Sequence, residues 1–78
     1  MKYIVIIEEG PTSYGAYIPD LPGCIAAGDT REEAVRLIEE AVVCHLELMA
    51  ENGEHIPEPR TTAIEVEVQQ PASVNIST

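Results

Sequence analysis

Hydrophobic positions along this chain fall into short clusters separated by proline- and glycine-containing breaks, and each cluster has its own period. Residues 2–8 read KYIVIIE, a short β-branched run that predicts a strand buried on both faces. Gly10-Pro11-Thr12-Ser13 is a turn cluster, and strand character resumes over residues 14–18. Two such runs across a short turn predict an antiparallel hairpin, with Gly15 a position for a bulge or a close approach. Pro19-Asp20-Leu21-Pro22-Gly23 predicts a rigid turn: the prolines fix φ, Gly23 admits a positive φ, and Asp20 is placed to accept backbone amides within the turn. Residues 24–27 are apolar and predict a third strand, ended by Gly28-Asp29.

The period then changes to that of a helix. Thr30 and Glu33 have the spacing of a capping box, in which the hydroxyl accepts from the Glu33 amide and the Glu33 carboxylate reaches back to the Thr30 amide. Asp29, Glu32 and Glu33 add negative charge at the positive end of the helix dipole. Asn52-Gly53 is a C-terminal stop, so the helix is expected over residues 31–52. At 100° per residue, Ala34, Leu37, Ile38, Ala41, Val42, Leu48 and Met49 share one arc, expected to lie on a sheet. Glu32, Arg36, Glu39, Glu40, Glu47 and Glu51 lie opposite, with Val43 stranded among them, either a lone exposed side chain or a point of contact with a partner.

Ile56-Pro57-Glu58-Pro59 predicts a stiff extended connector. Over residues 62–68, Thr62, Ile64, Val66 and Val68 alternate with Ala63, Glu65 and Glu67, which predicts a fourth strand with one wet face. The expected order is β-β-β-α-β: an α+β domain over residues 1–70, its antiparallel sheet carrying one helix on one face, with a short frayed tail over residues 71–78.

At 78 residues there is room for one domain, and a core without Phe or Trp gains little per residue, so a homo-oligomer is expected to supply further buried area. Fourteen acidic residues against four basic ones give a net charge of −10, which argues against direct DNA or RNA binding and favours a basic protein partner. The same charge also serves solubility alone. The first apolar run is too short for a signal peptide or a membrane span, so a cytoplasmic protein with reduced Cys24 and Cys44 is expected.

No constellation meets the requirements of an active site, and no cofactor is expected. His45 lies near the centre of the apolar arc; a metal ligand or general base is the functional reading, a hydrogen-bonded core histidine the favoured one, since no second histidine stands one turn away. His55 follows the helix stop in a solvated loop, and a zinc set from Cys24, Cys44, His45 and His55 would require the fold to gather them. The pairs Glu8-Glu9, Glu32-Glu33 and Glu39-Glu40 are adjacent residues that diverge and do not converge on a substrate. Ser13, Ser73 and Ser77 lack a nucleophile elbow, and Gly10, Gly15, Gly23 and Gly28 form no phosphate loop.

The strongest local signal is Pro19-Asp20-Leu21-Pro22-Gly23-Cys24 followed by Gly28-Asp29-Thr30-Arg31-Glu32-Glu33-Ala34, and later by Ile56-Pro57-Glu58-Pro59. These residues resemble the signature of the HicB-type antitoxin family, over residues 1 to about 70 of this chain. The resemblance implies a partial RNase H-like fold. It also implies an antitoxin that binds and blocks HicA-type toxins, small basic RNA-cleaving proteins, and that assembles as a dimer or tetramer. Many family members carry a C-terminal DNA-binding helical module; no basic or helical pattern follows Val68 here, so operator binding is not expected of this chain. The motif residues Pro19, Asp20, Pro22, Gly23, Gly28, Thr30 and Glu33 read as structural, and Glu39, Glu40, Glu47 and Glu51, on the outer helix face, as contacts for a toxin. A stand-alone oligomeric binding or scaffold protein is the second reading, and an enzyme the third.

Overall fold

The computed structural model describes residues 1–71. Of the frayed tail expected over residues 71–78, residues 72–78 lie outside the described residues. Three strands, β1 (Ile6–Glu9), β2 (Tyr14–Tyr17) and β3 (Ile25–Gly28), form an antiparallel sheet in the order β1-β2-β3. Helix α1 (Arg31–Glu51) follows and packs across it. The expected α+β class and antiparallel sheet with one helix are present; the expected fourth strand is not among the described residues.

The sheet has one covered and one bare face. Ile7, Ala16 and Ala26 are cross-strand partners and turn toward the helix, where Ala16 is buried and the other two are partly buried. Ile6, Tyr17 and Ile25 form the neighbouring row on the opposite face, with Ile25 69% exposed. The first strand is therefore covered on one face only, and it is shorter than expected. Residues 2–5 have no strand opposite them, because β2 ends at Tyr17, level with Ile6, and Pro19 then turns the chain. Cys24 belongs to that turn, its amide donating to Leu21 O at 3.0 Å, so β3 starts one residue later than expected. Gly15 pairs regularly between Glu8 and Ala27, without a bulge, and a Cβ there would meet nothing within 4 Å.

The core is small: among the described residues Ala16, Ile18, Leu21, Cys24, Ala34 and Ile38 are buried, and only Leu21 and Ile38 are large side chains buried fully. Burying each contributes about 1.5–3 kcal/mol. Tyr3, Tyr14, Val42, Leu46 and Met49 pack around this centre. Leu48 departs from expectation. The stripe is centred near Ile38 and Met49, so Leu46 on its β1 flank packs while Leu48 on the other flank is 58% exposed.

Both helix ends obey the chain's own signals. Thr30 Oγ1 accepts from the Glu33 amide at 3.1 Å, but the Glu33 carboxylate reaches one residue farther back than expected, to the Asp29 amide at 2.9 Å. That reach lays the Glu33 stem along Gly28: a Cβ on Gly28 would stand 2.9 Å from Glu33 Cβ and 2.8 Å from the Ala34 amide nitrogen. Gly28 is thus required by the close approach of β3 to the first helical turn. At the other end Asn52 caps the helix, and Gly53 takes φ +70°. The Gly53 amide donates to Ala50 O and the Glu54 amide to Met49 O, the paired bonds of a Schellman stop.

Candidate protein-binding surface

Helix α1 presents its outer side to solvent because its inner side is used up on the sheet. Glu39, Glu40, Glu47 and Glu51 are all exposed there, and the same side carries Arg36 and Val43. Arg36 pairs with Glu40 at 3.1 Å across one turn; both side chains are more than 60% exposed, so the pair adds little to stability and leaves a net acidic ridge. Val43 is 54% exposed among these carboxylates. An apolar spot ringed by charge is the usual layout of a protein contact surface, with the spot excluding water and the rim steering the encounter.

A second constellation ties the motif Pro19-Asp20-Leu21-Pro22-Gly23 to the segment after the helix. The turn is closed by Leu21 N–H to Ile18 O at 3.0 Å and by the Cys24 bond, with Gly23 at φ +87° and Leu21 buried beneath. The prediction that Asp20 accepts amides of its own turn is corrected. Its carboxylate accepts from the Arg60 amide at 2.9 Å, the Thr61 amide at 3.0 Å and the Thr61 hydroxyl at 2.7 Å. The Thr61 hydroxyl, then the Thr61 and Arg60 amides, hold the Asp20 carboxyl below its ordinary range. Beside it the Tyr3 hydroxyl donates to Pro57 O at 2.5 Å. Burial pushes the Tyr3 phenol up, reinforced by the charges of Glu58 and Asp20.

The Asp20 clasp has a pH signature. An unfolded Asp takes up its proton near pH ~3.9; in the folded chain the lowered pKa delays this to more acid pH. The clasp therefore contributes its full stabilisation above the unfolded value and loses it as pH falls through the folded one. Urea midpoints of the wild type and Asp20→Asn should differ most near neutrality and converge below about pH 4. A difference that stays constant from about pH 6 to about pH 2, with pH measured on the same buffer series, would remove the clasp from the account (both limits about two units either side of the reference value).

The remaining candidates stay apart. His45 is partly buried and borders an apolar hollow with Leu21, Pro22, Leu48 and Met49; its ring edge would lie 3.9 Å from a Cβ on Gly23. His55 is exposed and borders a separate shallow hollow with Asp20, Glu58 and Arg60. Cys24 is buried and Cys44 exposed, both free thiols, and burial pushes the Cys24 thiol up. Among the described residues no three His, Cys, Asp or Glu side chains stand together in a way that would hold a metal ion. Nor is any described helix long and apolar enough to cross a membrane. The Asp20 clasp to Arg60 and Thr61 was not anticipated, since nothing in local spacing points across forty residues.

Residues 3–76 match the model of a protein family described as the HicB-like antitoxin of bacterial toxin-antitoxin systems. An Antitoxin HicB 2 of Photorhabdus laumondii is 36% identical over 74 residues, covering 95% of this chain and 52% of that protein. An uncharacterised 14.9 kDa protein of Haemophilus phage HP1 is 39% identical over 71 residues, 91% of this chain and 52% of that one. A UPF0150 protein of Thermoplasma acidophilum is 37% identical over 67 residues, 85% of this chain and 97% of its own length. The chain thus spans about half the length of the first two relatives and nearly all of the third.

Proposed function

This chain belongs to the HicB-like antitoxin family, whose members are generally non-catalytic, and from that premise we propose that it binds and neutralises a small basic RNA-cleaving toxin of the HicA type. The observation that carries the reading is the acidic ridge of α1, with Glu39, Glu40, Glu47 and Glu51 exposed around Val43 on a rigid, capped helix. Carboxylates so arranged complement a basic surface and compete with the phosphates that the toxin would otherwise hold. Val43 supplies the apolar contact that the rim shields from water. The role requires no catalytic group of this chain: occupying the toxin's cationic surface is sufficient. It places the protein with its target in the cytoplasm.

Reversing the four glutamates to lysine is expected to slow association with a HicA-type toxin by about 10- to 100-fold at low salt, with the difference shrinking as salt is raised. Stopped-flow or surface-based kinetics at two ionic strengths reads this directly. Unchanged kinetics would remove these residues from the contact. The second reading is a stand-alone oligomeric scaffold without a toxin partner. Pull-down from the native host separates the two readings: recovery of a small basic ribonuclease favours the antitoxin, and its absence favours the scaffold.

A further inference from the structure

Two parts of this chain have strand-forming sequence and, among the described residues, no strand beside them. Residues 2–5 continue the line of β1 past the end of β2 and lie outside the sheet pairing. Residues 62–68 alternate in the manner of a strand, yet every one of them is exposed, with Ile64 at 84%, Val66 at 71% and Val68 at 76%. The second segment stands away from the body. The described residues extend 54 Å along their longest axis and have a radius of gyration of 16.0 Å. A compact domain of that length would have about 11 Å.

The outer edge of β1 carries the complementary surface. Sheet order leaves that edge unpaired among the described residues. Where residues 1–5 continue that edge, a groove of about 230 Å³ runs between them and α1, walled by Tyr3, Val5, Ile18, Ile38, Val42 and Leu46 together with Met1 and Glu39. A strand laid on this edge would direct alternate side chains into the groove and the others to solvent. The 62–68 segment has that composition: Ile64, Val66 and Val68 on one side, Glu65 and Glu67 on the other.

We infer that two copies of this chain exchange these arms, residues 62–68 of each adding as a strand to the β1 edge of the other and seating Ile64, Val66 and Val68 in its groove. A second copy is favoured over the arm's own body, because the three bonds of Arg60 and Thr61 to Asp20 fix the base of the arm on a course that leaves it in solvent. It is favoured over an unrelated strand because reciprocal exchange covers both arms and both grooves with one two-fold operation. Pairing of arm with arm is disfavoured: an antiparallel register centred on Val66 sets Glu65 directly opposite Glu67, twice. Exchange leaves most of the acidic ridge of α1 free: Glu40, Val43, Glu47 and Glu51 do not wall the groove, whereas Glu39 does.

Sedimentation equilibrium on the full chain is expected to show a dimer whose dissociation constant rises about 100-fold or more in Val66→Glu, from loss of one buried apolar side chain in each of two arms. Glu65→Gln, on the solvent side of the arm, should leave it unchanged. Val66 is exposed in the single chain, so its replacement leaves the fold intact. A second measurement fixes the geometry. In a Cys44→Ser background, chains carrying Val5→Cys are mixed with chains carrying Val66→Cys and mildly oxidised. Exchange yields a disulfide between the two different chains. A monomer at all concentrations, a dimer indifferent to Val66→Glu, or cross-linking mainly between two Val66→Cys chains would each overturn it.

Discussion

Ile38→Ala is expected to lower stability by about 2–5 kcal/mol, a large share of what a domain of this size has to lose. Ile38 is 1% exposed and, with Leu21, is one of only two large side chains fully buried among the described residues. Truncation removes its transfer free energy and leaves a cavity between α1 and the sheet. The small neighbours Ala16 and Ala34 cannot fill that space. At roughly 4–8 °C per kcal/mol for a domain this short, the thermal midpoint should fall by about 10 °C or more. Val43→Ala is the matched control, one aliphatic truncated on the same helix but 54% exposed, and it should shift stability by less than about 0.5 kcal/mol. Equal midpoints for the two variants would mean that the helix does not sit on the sheet as described.

The second large effect belongs to Gly28. An alanine there would place its Cβ 2.8 Å from the Ala34 amide nitrogen and 2.9 Å from Glu33 Cβ. The first of these is backbone inside a hydrogen-bonded turn, so β3 and the helix start must separate. The cost is that of overpacking, about 1–3 kcal/mol, together with weakening of the Thr30 and Glu33 cap. Gly15→Ala makes the comparison sharp. It is the same chemical change, in a strand with nothing within 4 Å of the added carbon, and it should be neutral or stabilising. Urea midpoints read the difference, and hydrogen exchange at the Glu33 amide locates it. A Gly28→Ala chain as stable as Gly15→Ala would refute the close approach.

These two sites also show what local sequence can and cannot convey. Gly28-Asp29-Thr30 through Ala34 was legible because capping is decided within a few residues, and the helix stop at Asn52-Gly53 is legible for the same reason. The three strands were legible from β-branched runs and turn residues, although β1 lost residues 2–5 because strand length depends on what lies opposite. Asp20 was recognised as an acceptor of amides, but its donors, Arg60 and Thr61, are forty residues away and carry no local mark. The fourth strand failed for a related reason. Alternation over residues 62–68 specifies which sides are apolar and says nothing about whether the same molecule provides an edge. On α1, Glu39, Glu40, Glu47 and Glu51 were placed correctly on the exposed face by period alone, while Leu48, expected on the apolar arc, is exposed. The precise roll of a helix on its sheet is set by tertiary packing, which a hundred-degree wheel does not contain.

The bonds from Asp20 to residues 60 and 61 close a chain loop that contains β3 and the whole of α1. Long loops close at an entropic disadvantage, so this junction gains its full value only once the intervening elements have condensed. During synthesis the hairpin, β3 and the helix emerge first, and residues 57–61 reach their hydrogen-bond partners Tyr3 and Asp20 last. Docking of that strip is therefore the finishing step of the protomer, and its release is the first stage of unravelling.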